Sequence, residues 1–306
     1  MPTDASLFAG PADDVIQPFQ IEGHDVRGRV VRLGPLAEEI LKRHDYPEGI
    51  ASLLAHALAM TALLGSSIKF DGKLTMQAKG DGAVRTIVVD YRTPGEMRGW
   101  VAFDRALYED AVARGIDPGR EVPQLLGGGY LAFTIDQGPD TERYQGIVNL
   151  EGGTLAECAQ KYFEDSEQLP SAVKLSAAVV DGKWRAGGIM LQHLASAGHQ
   201  FGDEDEAEDS WRESAILMAS TRDEELVNPA ITPQQLLFRL FHERGVRVFE
   251  PIALREFCQC SRERIEDVLS QFPAEETADM VVDGKIVVAC EFCSRVYEFD
   301  PPATPA

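Results

Sequence analysis

Cys258-Gln259-Cys260 and Cys290-Glu291-Phe292-Cys293, two close pairs with 29 residues between them, decide how the C-terminal part of this 306-residue chain reads. Four thiolates in two pairs suit tetrahedral Zn²⁺, which takes four ligands and has no directional demand of its own. The second pair has the two-residue knuckle spacing of zinc modules, while the first, with one intervening residue, makes a tighter chelate. One zinc ion per chain on Cys258, Cys260, Cys290 and Cys293 is the expectation. The opening Met1-Pro2-Thr3-Asp4-Ala5-Ser6 lacks a basic start followed by an apolar stretch, so a cytoplasmic location is expected and a secreted disulfide framework is not. Cys158 stands alone in a helical pattern and reads as a small buried hydrophobe.

Around the cysteines, a helix over 261–272 and a hairpin of 285–289 with 295–299 are expected, making a four-cysteine zinc module of 251–300 followed by a tail, 301–306. Upstream, 181–250 reads as a helical, metastable linking segment. It opens on a flexible, apolar Gly187-Gly188-Ile189-Met190-Leu191 and contains the acidic run Asp203-Glu204-Asp205-Glu206, which reads as solvated linker. Ser210 with Glu213, and Thr232 with Pro233 and Gln235, supply start signals for two short helices. Such helices are marginal alone and must dock on another surface. Residues 19–180 read as an α+β domain behind a flexible tail, 1–18. Helices are expected over 36–44 and 50–64, and strands over 73–79, 84–91, 98–103, 130–136, 143–150 and 172–180. Thr154 and Glu157 form a capping box for a further helix. Strands in meanders with helices between them give an α+β fold, not a βαβ alternation.

The balance of 29 basic against 50 acidic residues, a formal charge of −21, opposes a nucleic-acid surface and docking on anionic lipid. The most apolar run, 50–64, is too short to span a bilayer. No nucleotide-binding, serine-hydrolase or zinc-protease motif occurs, and Gly127-Gly128-Gly129 reads as a turn into a strand. Nothing points to an active site, so the chain is expected not to be an enzyme.

Two functions remain open for the cysteines: a constitutive structural zinc module that binds a partner, or a redox switch. Zinc-bound sulfurs are already thiolates and react with peroxide, and each pair gives an oxidised sulfur a resolving neighbour. Zinc ligation supplies about 10–16 kcal/mol of folding free energy to small modules. A disulfide closing three or four residues supplies roughly 2 kcal/mol before strain. Oxidation should therefore unfold the module and loosen what docks beside it. The apolar side chains then uncovered are the client-binding candidates Ile189, Met190, Leu191, Trp211, Ile216, Leu217, Leu237, Leu240 and Phe241, together with Leu194, Met218 and Leu236.

The sequence resembles the 33 kDa chaperonin family, the redox-regulated heat-shock holdases of bacteria. The resemblance is carried by Cys258 to Arg264, by Cys290 to Cys293 with Tyr297 and Phe299, and by Leu237-Phe238-Arg239-Leu240-Phe241-His242-Glu243. Arg43-His44-Asp45-Tyr46-Pro47, Leu63 to Ser67 with Lys69-Phe70, Gln77 to Gly82, Glu142 to Gly146 and Ser166 to Pro170 extend it along nearly the whole chain. The resemblance implies an α+β domain, a helical linker packed on its sheet and a C-terminal zinc switch that is inactive when reduced. It implies local disulfides Cys258–Cys260 and Cys290–Cys293 in the oxidised form, with zinc loss and unfolding of switch and linker. It further implies a homodimer when oxidised, and unfolded client proteins held without nucleotide.

Overall fold

A computed structural model of the chain describes residues 13–117, 122–138, 141–150, 153–166, 168–194 and 204–301. It divides into two compact units, 1–256 and 257–306.

The first unit opens with β1 (Val15–Ile21) and β2 (Val26–Leu33), then α1 (Pro35–Lys42) and α2 (Glu48–Ser67). A meander of β3 (Lys73–Gly80), β4 (Val84–Arg92) and β5 (Glu96–Phe103) follows, with α3 (Arg105–Ala113) and α4 (Val122–Leu126). Next come β6 (Gly129–Asp136), β7 (Tyr144–Asn149), α5 (Leu155–Ser166), β8 (Ser171–Val180) and β9 (Lys183–His193). The unit closes with α6 (Glu204–Ala219), α7 (Asp223–Val227), α8 (Pro233–Phe241), β10 (Val246–Val248), β11 (Ile252–Ala253) and β12 (Arg255–Glu256). One sheet has the order β10-β1-β2-β9-β8, with β11 also on β1; the other runs β12-β5-β4-β3-β6-β7. This is the α+β class expected from the meanders.

Helix α2 is apolar all round because both sheets pack on it. Its Gly65 admits the Tyr91 ring so closely that an added Cβ would lie 2.4 Å from the ring. At 20 residues it is longer than the stretch read from the sequence and long enough to cross a membrane, but 78% of its most apolar window is buried inside the protein. The capping box at α5 is present, with Glu157 N–H donating to Thr154 Oγ1 (3.2 Å) and Thr154 N–H to Glu157 Oε2 (2.9 Å). Gly127, at φ +70, turns the chain toward β6, and Gly128 N–H donates to Asp81.

Three boundaries differ from the sequence reading. Strand β1 starts at Val15, inside the stretch read as tail, because Val15, Ile16, Phe19 and Ile21 are all buried in the sheet. Residues 183–193, read as the start of a helical linker, are β9, paired on both sides with β2 and β8. Its glycines are close-approach positions, not hinges: a Cβ on Gly187 would stand 2.1 Å from the Leu226 carbonyl oxygen of α7. The second compact unit begins at Phe257 and not at 251, since β11 and β12 pair within the first unit.

The helical part of 181–250 also starts differently. Within the described residues α6 begins at Glu204, so Ser210 lies inside the helix instead of capping it, and its carbonyl accepts from the Ser214 hydroxyl. The acids Asp205 and Glu206 of the run read as solvated linker occupy the first turn, where the helix dipole favours negative charge. The tails 1–12 and 302–306, and Asp203 of that run, lie outside the described residues. For α8 the sequence signal holds: Gln235 N–H donates to Thr232 Oγ1 (3.2 Å), Thr232 N–H to Gln235 Oε1 (2.8 Å), and Pro233 follows the cap.

The second unit contains α9 (Arg262–Leu269), α10 (Ala274–Asp279), β13 (Val281–Val282), β14 (Lys285–Ala289) and β15 (Val296–Phe299). Its strands form a three-stranded antiparallel sheet in sequence order.

Candidate metal centre

The two cysteine pairs enter from different local structures. Cys258 and Cys260 lie in the extended lead-in to α9, which Ser261 caps by accepting from Arg264 N–H (3.3 Å). Cys290 and Cys293 lie in the turn between β14 and β15, closed by Cys290 N–H to the Arg295 carbonyl (2.9 Å) and Ser294 N–H to the Cys290 carbonyl (2.8 Å). Ser294 takes the left-handed conformation that this reversal needs, at φ 55.

All four sulfur atoms lie within 4.8 Å of one another. The closest pairs are Cys258–Cys260 at 3.3 Å, Cys260–Cys293 at 3.3 Å and Cys258–Cys290 at 3.7 Å. These separations are far beyond a disulfide bond. Thiolates at roughly 2.3 Å from a tetrahedral zinc stand about 3.8 Å apart, so the donor set and spacing fit a four-coordinate metal ion. Tyr297 adds a contact whose chemistry the sequence did not reveal: its hydroxyl lies 3.3 Å from the Cys260 sulfur and 3.3 Å from the Cys260 carbonyl oxygen. Two strand residues before Phe299, it reaches the cluster because β15 folds back over the cysteine turn.

The sulfurs bias one another. Burial pushes the Cys260 thiol up, but hydrogen bonds from Tyr297 and the neighbouring thiols outweigh it and bring Cys260 down to about 7. Burial and the neighbouring sulfurs push Cys293 up to about 12, and burial raises Cys258. Cys158, by contrast, is fully buried in the main core of the first unit, where desolvation pushes its thiol up to about 11.

Little else holds the second unit. Among its described residues only Ile286 and Phe299 are buried apolar side chains, and α9 buries none. Arg262 stacks over Phe299 at 4.7 Å from the ring centroid and donates to the Glu298 carbonyl (2.8 Å).

The client-binding candidates are distributed over the first unit. Ile189, Leu191, Leu237, Leu240 and Phe241 belong to one buried cluster, in which α6, α7 and α8 cover a face of β1, β2 and β9; Trp211 and Leu217 pack at its margin. Met190 points the other way, into the main core, because successive strand residues face opposite sides. Uncovering the helices leaves it buried. Ile216 is already 65% exposed, on the outer side of α6.

Polar contacts fasten the same helices. Arg32, 1% exposed, donates from Nη1 to the Leu226 carbonyl (2.8 Å) and from Nη2 to those of Asn228 (3.0 Å) and Ile231. Arg185 Nε donates to the Val227 carbonyl (2.7 Å), and Lys174 Nζ to that of Thr221. These cations satisfy carbonyls at the C-terminus of α7 and in the connections on either side of it. Burial brings Arg32 down to about 10, which leaves it charged at neutral pH. A signal was present in the sequence: Val26, Gly28, Val30 and Arg32 share one strand face, and a cation in an apolar phase requires buried acceptors.

A family model described as Hsp33 protein matches residues 14–300. A 33 kDa chaperonin from Caulobacter vibrioides is 49% identical, with 98% of this chain and 99% of the relative aligned. One from Escherichia coli is 35% identical, with 95% and 93% aligned. The crystal structure of the 33 kDa chaperonin (heat shock protein 33 homologue) from Thermotoga maritima superposes with a TM-score of 0.78 at 26% identity, covering 94% of this chain and 95% of that one.

Proposed function

We propose, from the premise that the chain belongs to the Hsp33 family, that it is a redox-regulated, nucleotide-independent chaperone of unfolding proteins. The observation that carries the reading is the four-sulfur cluster in a unit with almost no apolar core. Zinc on Cys258, Cys260, Cys290 and Cys293 would hold the sulfurs as thiolates and cross-link both ends of that unit. Hydrogen peroxide would oxidise each pair: two thiolates lose two electrons to form one S–S bond, the peroxide takes those electrons and two protons from solvent to become two waters, and the metal, its ligands gone, would leave. The pairs so joined are Cys258–Cys260 and Cys290–Cys293, by similarity to the family. Once its ligand set is consumed, the module's buried apolar side chains among the described residues are Ile286 and Phe299, too little core to hold its short sheet and helices, and it unfolds. The chain entering it, 246–256, then loses its fixed downstream end, and α6 to α8 come away from the sheet.

The surface this uncovers is apolar on both sides, with Ile189 and Leu191 on the strands and Leu237, Leu240 and Phe241 on α8. Such a surface binds exposed apolar segments of clients, while the formal charge of −21 keeps the opened chain soluble. The opened form is proposed to pair as a homodimer and to act in the cytoplasm.

The test is light scattering from a heat-unfolding client, with the reduced zinc-loaded protein and the peroxide-treated protein in parallel. Suppression by the treated form alone is expected. Equal suppression by both would assign the metal a purely structural role in a constitutive binder, and suppression by neither would remove the chaperone reading.

A further inference from the structure

We propose that the outer edge of β1 is a docking edge for an extended segment of an unfolded polypeptide, added as an antiparallel strand in the place that residues 246–253 fill in the resting chain. The proposal rests on the function above, since the edge opens only when the linking helices come away.

The edge already holds an occupant of the proposed kind. Strand β10 pairs with Phe19 to Ile21, and β11 with Val15 and Ile16. Glu22 N–H donates to the Gly245 carbonyl (3.0 Å), Phe249 N–H to that of Pro18 (3.0 Å) and Leu254 N–H to that of Asp14 (2.7 Å). By the two-residue alternation of antiparallel pairing, the main-chain groups of Ile16 and Gln20 face the same way, and those of Gln17, Phe19 and Ile21 face β2. The recognition is therefore of backbone, which any client sequence possesses.

The occupant is weakly held and tied to the linking helices. Its strands are three and two residues long, and Val248 and Phe249 are 43% and 46% exposed. Short strands with little buried contact open first. The buried Gln17 side chain joins the strip to α8: its Nε2 donates to the Phe249 carbonyl (2.6 Å) and its Oε1 accepts from Gln234 Nε2 (2.6 Å). Lifting α8 breaks that link.

Pro18 marks β1 as an edge in sequence although the resting fold covers it. A proline is tolerated in a strand where its missing N–H faces outward, and on β1 it does. The side chains of Phe19 and Ile21 join the apolar cluster that the linking helices cover. A strand added at this edge would set alternate side chains beside that face. The ligand class is thus an extended polypeptide with apolar residues at every second position, a form that folded proteins keep paired or covered within their sheets.

The test uses the full chain, oxidised with peroxide, and reduced carboxamidomethylated α-lactalbumin as a permanently unfolded probe, with amide exchange read residue by residue. Oxidation should speed exchange at Ile16, Gln20 and Glu22 at least tenfold, and the probe should restore their protection by a similar factor. Gln17, Phe19 and Ile21 should stay protected throughout. Gln20→Pro, which removes an outward donor, should weaken probe binding to the oxidised chain about tenfold; if that variant does not fold, exchange in the natural chain decides alone. If the oxidised chain suppresses aggregation and binds the probe while the outward amides exchange as in the probe-free state, the edge proposal is wrong and the chaperone reading stands. If the oxidised chain suppresses nothing, both fall.

Discussion

The two units of this chain are held together by different physics. In the first, α2 and two sheets enclose a continuous apolar cluster, and a second cluster lies under α6 to α8. In the second, the two buried apolar side chains among the described residues contribute about 2–3 kcal/mol each, against the roughly 10–16 kcal/mol that a structural zinc on four thiolates would supply. The cysteines follow the same division, with Cys158 dry and inert in the core and the other four clustered and partly exposed. On the function proposed above, a unit held by metal-bound sulfur would respond to oxidants while one held by apolar burial would not, which would give one chain a responsive part and a stable part.

The largest expected effect comes from removing the metal. A strong chelator should leave residues 257–301 open to trypsin at Arg262, Arg264, Lys285 and Arg295, while Trp100 and Trp184 of the first unit keep their native fluorescence. A simultaneous change at both would dissolve the contrast.

Arg32→Met tests what lies between the two regimes. It removes three charge-assisted bonds to linking-segment carbonyls, and about 3 kcal/mol of docking should go with them. Proteolysis of 204–241 should rise, and the reduced, metal-loaded protein should gain part of the client-holding capacity. An unchanged reduced form would mean that the apolar cluster alone sets docking.

Acid should loosen the same helices by less. Burial raises the Glu225 carboxyl, but hydrogen bonds from Arg222 and the Arg239 guanidinium outweigh it and hold it below its ordinary 4.5. Its contribution is present above that value and is lost as pH falls through the lower folded-state value. His24, hydrogen-bonded to Ser214 of α6 at 3.2 Å, is lowered from 6.5 by burial and by Arg244, with Glu213 opposing. With the fold favouring its neutral form, its contribution is present above 6.5 and is lost as pH falls through the lower folded-state value. Urea titrations at pH 7.5, 5.5 and 3.5 should show the linking helices weakening stepwise, the first step from His24 and the second from Glu225; greater resistance at low pH would contradict the assignment.

The smallest effect belongs to Cys158→Ala. It should cost about 1 kcal/mol for the lost sulfur packing and leave peroxide-driven metal loss unchanged, with Cys158 itself unmodified by mass mapping in the natural chain.

Much of this was legible in sequence where the signal is local. The cysteine pairs, the apolar stretch of α2 and the Thr154–Glu157 and Thr232–Gln235 caps depend on residues a few positions apart. What was not legible depends on distant partners. Gly187-Gly188 reads as flexible until α7 is seen packed on Gly187 and Leu175 and Leu63 on Gly188, and β10, β11 and β12 are too short to show a period. The acidic run before Ser210 looks like linker because solvation and a helix N-terminus both favour carboxylates. Tyr297 was visible as a family residue, but its hydroxyl's approach to Cys260 required the fold of β15.

The central claim is that oxidation or metal loss unfolds the second unit and frees the linking helices without disturbing the sheets beneath. The most direct measurement is amide exchange on the full chain, reduced with zinc and then after peroxide. Protection should be lost across 257–301 and 204–241, with α2, β2, β4 and β9 still protected. Protection retained across 257–301 after the metal has gone, or lost together in α2 and the sheets, would contradict the claim.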